Sequence, residues 1–271
     1  MLTFIPTPIG NPQDITLRAM RLFEEAELFL CEDTRETKRL MRLLQERYGM
    51  LVPEAEYLSF NEHNGLQRLD EVSQRLKDQK VVYVSDAGMP VISDPGQVLV
   101  AYCQEMDLVY DVLPGASAVV TAYAASGFEA GEFLFYGFLP HKGSERATAL
   151  SEALNSNYNT ILYESPHRLI KLLKEIVAMD PERVLFLGKE LTKKFQTYYK
   201  KPANELLNLL EEVHIRGEWV VVVRGYKSER KALYLEDIML LDLAPKPKAK
   251  LLAKVTGESV KNCYEKLITK R

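Results

Sequence analysis

The sequence predicts an α/β fold of two lobes with a short helical tail, and three observations carry that prediction. Short β-rich runs alternate with longer segments of helical period. Loops rich in glycine and proline follow several of the strands. The chain is 271 residues long, which favours two domains over one. With 46% hydrophobic and 27% charged residues the composition is that of a globular protein and excludes wholesale disorder. Cys31, Cys103 and Cys263 are far apart and form no C-x-x-C pair, which fits a reduced, cytoplasmic setting. No apolar run approaches the roughly 18 residues that suggest a membrane helix. The start Met1-Leu2-Thr3-Phe4-Ile5-Pro6 lacks the basic segment of a signal peptide, so neither a span nor a leader is expected.

Residues 2–5 read as the first strand and residues 17–26 as an amphipathic helix. Leu28-Phe29-Leu30-Cys31 is a second apolar run, and Leu66, Leu69, Val72 and Leu76 mark one face of a helix. A strand at Val81-Val82-Tyr83-Val84 leads into a turn-rich loop at 86–96. Residues 108–113 form the next strand, Pro114-Gly115 turns it, and Ser117 is placed to cap a helix through Val119, Val120 and Ala124. The apolar pattern breaks at 137–143, which divides the chain into 1–138, 139–226 and 227–271. The middle part holds strands at 160–163, 184–187 and 219–223 and helices at 169–177 and 205–213.

The last part is basic. It carries eleven Lys and Arg against six Asp and Glu, while the whole chain has a net charge of −3. Lys246, Lys248, Lys250 and Lys254 crowd an Ala-Pro-Lys-Pro turn, and Lys261, Lys266, Lys270 and Arg271 decorate a final helix. This stripe is either a docking surface for a polyanion such as RNA, or a solvated helix face or dimer contact.

Three loops after strand ends are candidates for chemistry. Residues 6–16 hold one glycine and three prolines and match neither G-x-G-x-x-G nor a Walker sequence, which disfavours a dinucleotide or nucleoside triphosphate. The loop at 85–96 and Pro114-Gly115-Ala116-Ser117-Ala118 place small residues at adjacent strand ends, where ligands lie in open α/β sheets. Glu32, Asp33 and Arg35 follow the second strand; they hold or polarise a substrate, or form an ion pair that caps the next helix. Asp86 and Asp94 likewise either bind substrate or fix their turn. His167 and Arg168 sit after Pro166 at a helix start, with Arg168 suited to grip phosphate and His167 to stack or accept a proton. Lys189 and Glu190 follow a later strand, and His63 is a further base candidate. No cluster has metal-ligand spacing, and Ser85, Ser93 and Ser117 lack the G-x-S-x-G setting of a nucleophile.

The order and spacing of these blocks resemble the tetrapyrrole-methylase-type, class III S-adenosylmethionine-dependent methyltransferases. The resemblance rests on residues 6–16, 59–64, 85–96, 114–118, 137–140 and 188–192, with Cys31-Glu32-Asp33-Thr34-Arg35 and Tyr163-Glu164-Ser165-Pro166-His167-Arg168 most similar to the branch acting on ribosomal RNA. It implies a bilobal homodimer that binds S-adenosylmethionine (SAM) in a cleft and methylates a cytidine ribose 2′-hydroxyl in the decoding region of 16S ribosomal RNA in the small subunit. On matching positions the cofactor meets Pro8, Ile9 and Gly10, then Gly88, Met89 and Ile92, then Gly115 and Ala116, with Tyr163, Leu187 and Gly217 from the second lobe. Glu32, Asp33, Arg35, His167, Arg168 and Glu190 are the catalytic candidates, with no base singled out, and Lys246, Lys248, Lys250 and Lys254, by their charge, are the candidate RNA contacts. Two other readings stay open: a methyltransferase for a tetrapyrrole or other small metabolite, and a non-catalytic RNA-binding assembly factor.

Overall fold

The structure is a computed structural model that describes residues 1–61, 64–129, 131–226 and 235–269. It forms two compact units, Met1–Tyr226 and Lys227–Arg271. The first unit begins with β1 (Leu2–Phe4), α1 (Leu17–Glu24), β2 (Leu28–Cys31), α2 (Thr34–Tyr48), β3 (Glu56–Ser59), α3 (Gly65–Val72), α4 (Arg75–Asp78), β4 (Val81–Val84), α5 (Gly96–Glu105) and β5 (Tyr110–Val112). It continues with α6 (Ala118–Ser126), β6 (Phe133–Phe138), α7 (Gly143–Asn155), β7 (Asn159–Glu164), α8 (Pro166–Met179), β8 (Val184–Lys189), β9 (Thr197–Pro202), α9 (Ala203–Leu210) and β10 (Trp219–Val223).

The first sheet is parallel, in the order β3-β2-β4-β1-β5. A parallel sheet is covered on both faces, so its strands are apolar almost throughout. Leu2, Phe4, Leu28, Leu30, Val81 and Tyr83 pack on one side, and Ile5, Phe29, Cys31, Val82 and Val84 on the other. From β1 the chain moves to β2 and β3, whereas from β4 it moves to β5 at the opposite edge. The carboxyl ends of β1 and β4 therefore flank the topological switch point, the usual place for a ligand crevice. Helix starts are set locally: the Thr16 hydroxyl accepts the Ala19 N–H at 3.0 Å ahead of α1, and the Asp33 carboxylate accepts the Arg35 N–H at 2.8 Å ahead of α2.

The second sheet is mixed, in the order β6-β7-β10-β8-β9. Its outer face carries α7, α8 and α9 over Leu162, Leu185, Leu187, Val221 and Val223. Its inner face presents Ile161, Phe186, Val220 and Val222 to Val119 and Ala122 of α6 and to Ile9 of the first loop, so one core joins the halves. The passage between sheets falls before β6. Phe133–Phe138, counted with the first half in the sequence reading, is hydrogen-bonded into the second sheet.

The second unit packs α10 (Leu235–Leu240), α11 (Pro245–Thr256) and α12 (Val260–Thr269) around Ile238, Ala249, Leu252 and Cys263. Pro245 takes the first turn of α11, where its missing N–H costs nothing, so the expected Ala-Pro-Lys-Pro turn is helix. Lys246, Lys250 and Lys254 are exposed on α11, and Lys248 donates to the Met239 carbonyl at 2.9 Å. Lys266 is held by Glu258 at 2.7 Å; Lys270 and Arg271 lie outside the described residues. Among the described residues no helix is long and apolar enough to cross a membrane.

Candidate active site

A cavity of about 540 Å³ opens in the first unit, where the loops after β1 and β4 face the ends of β7 and β10. Its size lies within the usual range for ligand pockets. Ile9, Glu32, Ser85, Asp86, Gly88, Met89, Ile92 and Asp94 line one side, and Phe138, Tyr163, Glu164, Pro166, Glu218 and Trp219 line the other.

Backbone contacts fix the loops against one another. Thr7 and Gly88 exchange both N–H···O bonds at 3.0 Å. Gly88 has φ +85°, a left-handed conformation open to glycine, and a Cβ there would approach Ile9 at 3.1 Å. A Cβ on Gly115 would lie 2.6 Å from Pro6, so the third loop is packed directly on the first. The Asn11 N–H donates to the Thr192 hydroxyl at 2.9 Å, tying the first loop to the turn after β8. In the second loop Val91 and Ser93 adopt φ of +74° and +71°, an outlying conformation for a β-branched valine. Asp94 holds them there, accepting the Val91 N–H at 2.7 Å, the Gly96 N–H at 2.8 Å and the Tyr83 hydroxyl at 2.9 Å.

Of the anticipated cofactor residues, Ile9, Gly88, Met89, Ile92 and Tyr163 line the cavity. Pro8, Gly10, Gly115 and Ala116 belong to the loops behind it. Leu187 is turned away, because its side chain lies in the core on the outer face of the second sheet. Gly217 makes room for Glu190, whose carboxyl carbon lies 2.7 Å from where a Cβ would stand. Of the catalytic candidates Glu32 alone lines the cavity. Arg35 is 87% exposed and engages Asp33 at 2.6 Å, the helix-capping ion pair rather than a cavity contact. His167 is exposed, outside the lining. Arg168 meets the buried Glu164 carboxylate at 2.8 Å, which accounts for its guanidinium by a partner within the fold. Glu190 pairs with Lys193 at 2.9 Å. His63 lies outside the described residues. Ser117 stands at the start of α6 without a capping bond and lines the cavity instead. Phe138 lies in the 137–140 block of the resemblance but is not singled out there, and Glu218 and Trp219 carry no sequence signal for a site; the folding of the second sheet brings all three there.

The lining is acidic. Glu32, Asp86, Asp94, Glu164 and Glu218 contribute carboxylates, and among the described residues no Lys, Arg or His joins them. Glu164 is compensated by Arg168 and by Arg146 at 3.4 Å, and Glu218 by Lys193 at 3.0 Å. Glu32 accepts the Asp86 N–H at 3.2 Å, and Asp86 accepts the Asp33 N–H at 3.1 Å. Burial lifts both Asp86 and Asp94 above the ordinary carboxylate range. The Arg35 hydrogen bonds hold Asp33 down at about 2. Burial pushes the Tyr163 hydroxyl up to about 12, so it is a neutral donor at neutral pH. Burial also raises Glu190, but the Glu218 N–H and the Lys193 ammonium outweigh it and leave the carboxyl below its ordinary value. Ser85, at the end of β4, is the one described residue with a buried side-chain polar atom that has no hydrogen-bond partner, and it lines the cavity. An orphaned buried hydroxyl is unusual in a folded protein.

Residues 1–207 match the family model of tetrapyrrole (corrin/porphyrin) methylases, and the chain belongs to that family. Within it, the chain is 46% identical over 271 residues to ribosomal RNA small subunit methyltransferase I of Campylobacter fetus, covering 99% of this chain and 100% of the relative. The protein of the same name from Helicobacter pylori is 41% identical over 277 residues, covering 97% and 96%. The fold matches uroporphyrin-III C-methyltransferase from Thermus thermophilus, a structure complexed with S-adenosylhomocysteine (SAH). That match has a TM-score of 0.56 at 14% identity and covers 82% of this chain and 96% of that one.

Proposed function

We propose that this chain is a SAM-dependent methyltransferase that modifies the ribose 2′-hydroxyl of a cytidine in the decoding region of 16S ribosomal RNA. The observation that carries the reading is the acidic cavity at the switch point, in a chain that aligns from end to end with ribosomal RNA small subunit methyltransferases.

When bound, SAM supplies an electrophilic methyl group on a positively charged sulfur. The site suits it in that its lining is acidic, which favours a cation, and in that the buried Ser85 hydroxyl, without a partner among the described residues, belongs to a residue of that lining. Ile9, Gly88, Met89, Ile92 and Tyr163 would hold the cofactor, on a frame set by Pro8, Gly10, Gly115 and Ala116. Leu187 and Gly217 act indirectly, by filling the core and by admitting the Glu190–Lys193 brace.

Methyl transfer needs the ribose oxygen aligned with the methyl group, and a rigid cavity supplies that alignment. We assign the hydroxyl proton, released as the ribose oxygen takes the methyl group, to Glu32, which accepts the Asp86 N–H and lines the cavity. Asp33 and Arg35 fix the start of α2 behind it, and Arg168 steadies Glu164 on the opposite wall. The tail lysines Lys246, Lys248, Lys250 and Lys254 contact the RNA backbone, where each phosphate neutralised steepens the salt dependence of binding. The working form is a cytoplasmic homodimer acting on the small ribosomal subunit.

The test is deletion of the gene and complementation with wild-type or Glu32→Gln protein, with the ribosomal RNA mapped by mass spectrometry. One cytidine should lose its 2′-O-methyl group on deletion and regain it with the wild type, and Glu32→Gln should restore little. RNA unaltered by the deletion would reject the reading.

A further inference from the structure

We propose that Phe138 is the platform on which the base of the target nucleotide stacks while its ribose is methylated; this inference rests on the reading of the chain as an RNA ribose methyltransferase. Phe138 lies on the cavity wall yet is 57% exposed, so the fold gains little from its ring. Its direction is set by a β-bulge. In the pairing of β6 with β7, Phe135 matches Ile161, Gly137 matches Leu162 and Phe138 matches Tyr163, which leaves Tyr136 as the extra residue. Without the bulge, with Tyr136 paired in register, strict alternation would turn Phe138 toward the helix-covered outer face with Tyr136. With it, Phe138 reaches the inner face and sets its ring against Tyr163 at 5.5 Å and 61°. Gly137, at φ +75°, supplies the left-handed conformation that the bulge uses.

The residues that follow are anchored. The Leu139 carbonyl accepts from Arg168 at 3.4 Å and the Pro140 carbonyl from Arg146 at 3.1 Å, and both arginines meet the buried Glu164 carboxylate. An exposed phenyl ring is thus mounted on a rigid backing at the edge of the cavity.

Charge selects its occupant. No described cation lines the cavity, so a polyanion is not drawn in by ion pairing. A neutral base face on an aromatic ring is the contact that remains, and stacking of splayed-out bases on aromatic side chains is how single-stranded RNA is recognised. His141 and Lys142 are exposed on the segment that follows β6.

The experiment compares wild type with Phe138→Ala, Phe138→Leu and Phe138→Trp. The readouts are methylation kinetics on small subunits from the deletion strain, calorimetry with SAM, and solution mass by light scattering. Phe138→Ala and Phe138→Leu should lower kcat/KM for RNA by about ten- to a hundredfold. Phe138→Trp should stay within a few-fold of wild type, and SAM affinity and solution mass should not change. RNA kinetics at the wild-type level in Phe138→Ala, or full function with leucine, would overturn the platform. A loss confined to SAM affinity would assign the ring to the donor adenine, and a changed solution mass would assign it to a subunit contact; either also overturns the proposal. Failure of the parent reading is separable, because the wild type would then methylate no RNA.

Discussion

The Tyr83 hydroxyl donates to the Asp94 carboxylate at 2.9 Å, and through that bond a core aromatic of the first sheet governs the shape of the cavity loop. The same carboxylate oxygen caps Gly96, while the other holds Val91 in its left-handed conformation. Burial raises the Asp94 carboxyl above its ordinary range. Asp94→Asn should release the Val91–Ser93 backbone, because an amide nitrogen cannot accept the Val91 N–H. A stability loss of about 1–3 kcal/mol by denaturant titration and a weakened SAM isotherm are expected. The sign with pH follows from the raised value: relative to Asp94→Asn, wild-type stability is highest at acid pH. It falls as pH climbs from the unfolded value near 3.8 through the raised folded value.

Asp33 behaves oppositely. Its carboxyl is held at about 2 by Arg35 and the first turn of α2. The stability it contributes is present above the unfolded value of 3.8 and is lost as pH falls toward about 2. Acid-unfolding curves of wild type and Asp33→Asn should converge at low pH and separate above it.

Glu164 is the centre of a buried network with Arg146 and Arg168, and Arg146 also reaches Glu175 at 2.8 Å. Glu164→Ala leaves two guanidinium groups without their shared carboxylate and should cost about 3–5 kcal/mol in urea unfolding. Replacing the exposed Arg35 by alanine should cost under about 1 kcal/mol in the same assay, because its ion pair is solvated.

Ser85→Ala separates binding from folding. Its hydroxyl has no partner among the described residues, so thermal unfolding should be unchanged or slightly improved, while SAM binding weakens by about five- to tenfold. Equal SAM affinity in wild type and variant would remove Ser85 from the cofactor site.

Much of this organisation is legible in the sequence where local physics decides. The apolar runs of β1, β2 and β4 announce a parallel sheet because both of its faces are buried, and Thr16 and Asp33 announce helix starts through their own capping bonds. The loops at 6–16 and 85–96 stand out by glycine and proline content, and both reach the cavity. The edge strand β9, with the mostly exposed sequence Thr-Tyr-Tyr-Lys-Lys-Pro, carries no alternating pattern, and the bulge in β6 breaks the period that would reveal it. Leu187 and Phe138 show what is missing at the site. Which face of a strand meets the cavity depends on register, and register is fixed by pairings between residues distant in sequence.

The most direct measurement gives purified protein unmethylated small subunits and SAM carrying a deuterated methyl group, then identifies labelled nucleosides by mass spectrometry. The account predicts deuterium in 2′-O-methylcytidine from a single 16S position, with little signal from Glu32→Gln. Label on a base carbon or nitrogen, or transfer to a tetrapyrrole with none to RNA, would contradict it.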